Sequence, residues 1–119
     1  MKRSQPPSTH QEFVRRFPKL GSAWELANAE AGKGPLDARA QRLVKLAVAA
    51  GALRESAVHS AVRKALDAGV TPAELEQVVP LAATTIGLPA AVAVWSWIRE
   101  TLPAGGGASS PARKRRRAR

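Results

Sequence analysis

From Pro18 to Leu102 one pattern recurs: leucine, valine and alanine return every three or four positions, and glycine or proline cuts each run after a few turns. That spacing puts the apolar side chains on one side of an α-helix. The expected fold class is therefore all-α, a compact bundle of five to six short helices. Composition points the same way. The chain is 45% hydrophobic, yet Phe13, Phe17, Trp24, Trp95 and Trp97 are its only aromatic residues and tyrosine is absent. A large β-sandwich is disfavoured by that balance, and a helical core of small aliphatic side chains fits it.

The punctuation predicts the elements. Gln11–Phe17 reads as a short turn stopped by Pro18. A second segment runs from Pro18 through Ala31, with Leu20, Trp24, Leu26 and Ala27 as its apolar stripe. Leu36–Leu53 is a third, using Leu36, Ala40, Leu43, Leu46, Ala47, Ala50 and Leu53. Arg54–Ala68 is a fourth, closed by Gly69. Thr71-Pro-Ala-Glu74 is a start signal: a capping hydroxyl, proline at the first helical position and a glutamate placed to complete a capping box. The fifth segment buries Leu75, Val78, Val79, Ala82 and Ile86, is kinked at Pro80 and ends at Gly87. In Leu88–Leu102, spacing directs Leu88, Val92, Trp95, Ile98 and Leu102 inward and leaves Trp97 outside as an interface candidate.

The formal charge of +10 belongs to the ends of the chain. Residues 10–102 hold eleven Lys/Arg and nine Asp/Glu, a balance of +2, whereas residues 103–119 hold six cations and no acid. This divides the chain into a disordered tail (1–9), a helical domain (10–102) and a Gly/Ser/Pro linker with a polybasic end (103–119). Arg113, Lys114, Arg115, Arg116, Arg117 and Arg119 suit non-specific, salt-sensitive polyanion binding, with no aromatic residue nearby for base stacking. Cysteine is absent, which removes disulfides, thiolate nucleophiles and thiol-ligated zinc. No apolar run approaches a membrane span and no h-region follows the first basic residues, so a cytoplasmic protein is expected. The small core and Ala-rich faces predict a homo-oligomer.

The blocks FPKLGSAWELANAEAG, LDARAQRLVKLAVAAG, VRKALDAGVTPAELEQVV and Gly87-Leu-Pro-Ala-Ala91, in this order and spacing, resemble the carboxymuconolactone decarboxylase/alkylhydroperoxidase D-like family. The resemblance runs ungapped over about Phe17–Leu102 and implies an all-α fold assembling as a trimer or hexamer. The family's chemical groups are missing. The peroxidase-type glutamate falls on Arg42, the two cysteines on Arg54 and Ala57, and the histidine on Ala61. Decarboxylase-type members carry glutamate and histidine where this chain has Ala57 and Ala61. Two-cysteine peroxidase activity is thereby excluded. Glu55-Ser-Ala-Val-His59 resembles a thiol-free subgroup with an acid and a histidine two residues earlier on the same helix.

Glu55 and His59 lie four apart on one helix, hence on one face. A carboxylate beside an imidazole orients it and stabilises its protonated form, an arrangement suited to proton transfer, although an ordinary i,i+4 pair looks the same in sequence. Arg54, beside a helix N-terminus, is placed to meet an anion. Ala57, Ala61, Ala65 and Ala68 read either as an emptied cavity or as close helix packing. Two helix-spaced ligands are too few for a metal site and the other histidine, His10, lies near the tail, so neither metal nor other cofactor is expected. As an enzyme the chain would be a cofactor-free decarboxylase or a lactone-type lyase or isomerase acting on a small organic acid or lactone. Glu55 and His59 would then be catalytic and Arg54 would bind substrate. The alternative is a non-catalytic structural or partner-binding oligomer whose tail binds a polyanion.

Overall fold

The computed structural model describes residues 8–103. Within them the chain forms six α-helices and no strand: α1 (Ser8–Arg16), α2 (Pro18–Ala31), α3 (Ala38–Gly51), α4 (Glu55–Asp67), α5 (Pro72–Ile86) and α6 (Leu88–Thr101). The all-α expectation holds. The first element is longer than a turn: it opens at Ser8, so Ser8 and Thr9 belong to a helix and not to the tail assigned to residues 1–9. The polybasic run lies outside the described residues.

Local chemistry sets the helix ends. Asp37 starts α3 by accepting a 2.8 Å hydrogen bond from the Ala40 N–H, which leaves Leu36 outside the helix. At α5 the capping box is complete. Thr71 Oγ1 accepts from the Glu74 N–H at 3.1 Å, and Glu74 Oε1 accepts from the Thr71 N–H at 2.9 Å. The Arg39 guanidinium then reaches from α3 to the same Glu74 carboxylate, tying the starts of α3 and α5 together. Helix α4 closes as foreseen on Gly69 at φ 92°, with the Gly69 N–H donating to Leu66 O and the Val70 N–H to Ala65 O. That is a Schellman ending with glycine in its usual left-handed position.

Helices α3 to α6 enclose the core. Leu46, Ala49 and Ala50 come from α3, Val58, Ala61, Val62 and Ala65 from α4, Leu75 and Val78 from α5, and Val94 and Ile98 from α6. Val70 and Leu102 close its ends. Leu46, Val58, Val62, Leu75, Val94 and Ile98 are fully buried, so truncating Leu46 or Leu75 to alanine should cost about 2–5 kcal/mol. Ala61 and Ala65 belong to this core and Ala57 packs against it, which favours close packing for that face.

Three expectations about facing need correction. The stripe of α2 is not inside: Leu20, Trp24 and Leu26 are exposed, and neither α1 nor α2 contributes a buried residue. The α1–α2 pair packs on itself. Gly21 lies so close to Val14 that an added Cβ would come within 2.6 Å of its Cγ1. Helix α6 is rotated by about one residue from the reading. Ala91, Val94 and Ile98 face inward, while Leu88, Val92 and Trp95 face out. Trp97, expected outside, packs against the core. The Cα radius of gyration, 15.6 Å, exceeds the roughly 12–13 Å of a compact chain this size, as a projecting helical pair requires. Among the described residues no helix is long and apolar enough to cross a membrane.

Candidate functional site

The turn between α3 and α4 is built by a leucine in an unusual conformation. Leu53 has φ 54°, its N–H donates to Ala50 O, and the Arg54 N–H donates to Ala49 O at 3.2 Å. This is again a Schellman ending, but with leucine where glycine is usual, and it stores local backbone strain. The turn delivers Arg54 in an extended conformation as the residue before α4 and makes Glu55 the first residue of the helix. One turn later comes His59.

Leu53, Arg54, Glu55, Ser56 and His59 line an open hollow of about 480 Å³. The three residues singled out by sequence therefore do share one surface. His59 Nε2 lies 3.9 Å from Glu55 Oε2, within ion-pair range but too far for a hydrogen bond. A second carboxylate is nearer. Glu100, from the end of α6, places Oε1 3.3 Å from the same nitrogen. The Glu100 contact has the separation of an ion pair without the alignment of a hydrogen bond, and Nε2, shielded from solvent, has no hydrogen-bond partner. Glu55 and Glu100 remain more than half exposed, whereas the imidazole is 30% exposed.

Glu100 was missed because nothing near it in the chain marks it. It lies 41 residues beyond His59, in the last turn of an apolar helix. Only the packing of α6 on α4 joins them. His10 is exposed on α1 and is not part of this group. Arg42 stands instead beside Lys64 on the α3–α4 surface, where partial burial first, then Arg42, Lys45 and Arg63, lower the Lys64 pKa.

A larger cavity, about 560 Å³, lies between α3 and α5 and is lined by Leu43, Val44, Ala47, Val78, Leu81 and Ile86 among others. Its polar rim includes Glu74, whose carboxylate is occupied by Arg39 and the Thr71 N–H. It offers apolar area, whereas the convergent titratable groups lie at His59. A model of the carboxymuconolactone decarboxylase family matches residues 18–100. The chain belongs to that family. No match was found among the curated proteins or the solved structures compared. Ala61 lies in the core and Ala57 packs against it. The acid–histidine group of this member stands on the neighbouring face of α4 and recruits α6.

Proposed function

We propose that this member of the family carries out acid–base chemistry on a small organic acid or lactone, with His59 as the group that moves the proton. The observation that carries the reading is the convergence of Glu55 and Glu100 on His59 Nε2 beside Arg54 in one hollow. Decarboxylation or isomerisation of an unsaturated lactone acid passes through an enolate. Decarboxylation releases CO₂ and needs one proton delivered to carbon; isomerisation needs a proton taken from one carbon and returned to another. His59, which lines the hollow, is the carrier in this reading. Glu55 and Glu100 flank the ring from two helices with negative charge, and Arg54 contacts the substrate carboxylate. The protein is read as cytoplasmic and as acting in an oligomer, a trimer or hexamer. Support for assembly is the apolar surface one chain leaves uncovered: Trp24 and Leu26 on α2, Val44 and Val48 on α3, and Leu81 on α5.

A non-catalytic oligomer with a polyanion-binding tail is the second reading. The loss of the family's acid, thiols and imidazole at Arg42, Arg54, Ala57 and Ala61, together with the openness of the hollow, favours it. A panel of small unsaturated lactone acids separates the two. Turnover by the wild-type protein that falls by about 10²–10⁴-fold in His59→Ala supports the acid–base role. A folded oligomer inert across the panel supports the second reading.

A further inference from the structure

We infer that Glu55, His59 and Glu100 form a three-ligand site for a divalent first-row transition-metal ion. Each residue offers one ligand atom, and the three atoms lie within 4.8 Å of one another. The decisive atom is His59 Nε2, which is removed from solvent and has no hydrogen-bond partner. An unsatisfied polar atom in that position costs free energy unless something occupies it. Its neighbours at 3.3 and 3.9 Å are carboxylate oxygens, which only accept when ionised. Where Nε2 carries no proton, its lone pair faces two anions and is repelled by both. A positive species between them removes the conflict, and the Glu100 oxygen is not aligned to take a proton from Nε2 in a hydrogen bond.

A metal ion satisfies all three donors together. Metal–ligand bonds of about 2.0–2.2 Å put neighbouring donors about 3.0–3.5 Å apart at octahedral or tetrahedral angles. The Nε2–Glu100 separation already has that length. Glu55, exposed at its carboxylate, would have to turn inward to bring its oxygen to ligand distance. One imidazole with two carboxylates suits zinc, cobalt, iron or manganese better than the all-oxygen preference of calcium or magnesium. The ligands come from two packed helices, α4 at i and i+4 and α6 near its end, so the scaffold fixes their spacing. Arg54 and the N-terminal end of α4 oppose a cation, so affinity rests on direct ligation more than on the surrounding field. Three protein ligands leave positions open toward the hollow. Only one consequence rests on the acid–base reading: ion and proton would compete for the same nitrogen.

The test titrates the full chain, freed of metal by a chelator and then desalted, with Co²⁺, without substrate. Calorimetry and visible absorption are recorded together, followed by displacement with Zn²⁺. The expected result is one saturable Co²⁺ per chain, with ligand-field bands that disappear as Zn²⁺ enters. Binding should weaken at least about 100-fold in His59→Ala and at least about tenfold in Glu55→Gln or Glu100→Gln. His10→Ala should leave it unchanged, and far-ultraviolet circular dichroism confirms that each variant folds. No saturable binding, or binding that survives His59→Ala or Glu100→Gln, overturns the inference. A protein inert toward every lactone yet binding cobalt through these three residues leaves it standing, so the two readings fail separately.

Discussion

Leu53 holds the left-handed position at the end of α3 that glycine holds at the end of α4. Glycine reaches that region without the Cβ clash, and Leu53 is about half exposed, so little packing is lost by shortening it. Leu53→Gly is expected to stabilise the fold by about 0.5–1 kcal/mol, read as a rise in thermal midpoint. The sequence concealed this, because the apolar spacing of the third segment runs on through Leu53 and nothing local marks a left-handed residue there. Gly69 and the Thr71–Glu74 box were legible, since both are set by residues within one helical turn. The box also fixes a pH dependence. The Arg39 hydrogen bond first, then the Thr71 N–H, hold the Glu74 carboxyl below its ordinary value near 4.5. A carboxyl depressed in the folded state contributes stability above its unfolded pKa, and that contribution is lost as pH falls through the folded one. Glu74→Gln should therefore lower the melting temperature at pH 7, and the difference from wild type should shrink on acidification below about pH 4.5. A constant difference down to strong acid would assign the effect to packing.

Helix α6 shows where periodicity runs out. Leu88, Val92 and Trp95 form one stripe and Ala91 and Val94 the next, and both lead into Ile98 and Leu102. A helix apolar over so much of its circumference fits the period at two adjacent rotations. Packing against α4 and α5 selects the second, turning Trp97 inward and leaving Trp95 outside beneath the Arg99 guanidinium, 4.6 Å from its ring centre. The same rotation carries Glu100 to His59, which is why that half of the candidate site was not legible. In α2 the residues read as an inward stripe, Leu20, Trp24 and Leu26, are exposed, and α1 is the helix most closely packed on α2 among the described residues. Trp24→Glu is accordingly expected to shift the assembly toward smaller species in light scattering while the helical signal of α3–α6 remains. Loss of that signal would mean that α2 supports the core within one chain.

Along the whole chain, positive charge is unevenly distributed. The body carries eleven cations against nine acids, and deleting residues 103–119 removes six cations, taking the chain from +10 to 10 − 6 = +4. Because α6 ends at Thr101 and a Gly/Ser/Pro-rich stretch follows, the deletion should leave the melting temperature unchanged and sharply reduce heparin retention across a salt gradient. Unchanged retention would locate a basic face on the body. The exposed Trp24, Leu26, Val48 and Leu81 predict a trimer or hexamer at micromolar concentration, and a stable monomer would contradict it. The central claim is that proton transfer at the α4–α6 junction depends on His59, and carbon-bound hydrogen exchange reads that directly. With a chelator present in D₂O, nuclear magnetic resonance should show the protein exchanging the hydrogen next to the carbonyl of a small lactone acid. Exchange should fall about 10²–10⁴-fold in His59→Ala and partially in Glu100→Gln. Exchange that is undiminished in His59→Ala, or absent from wild type with every acid in the panel, would contradict the account.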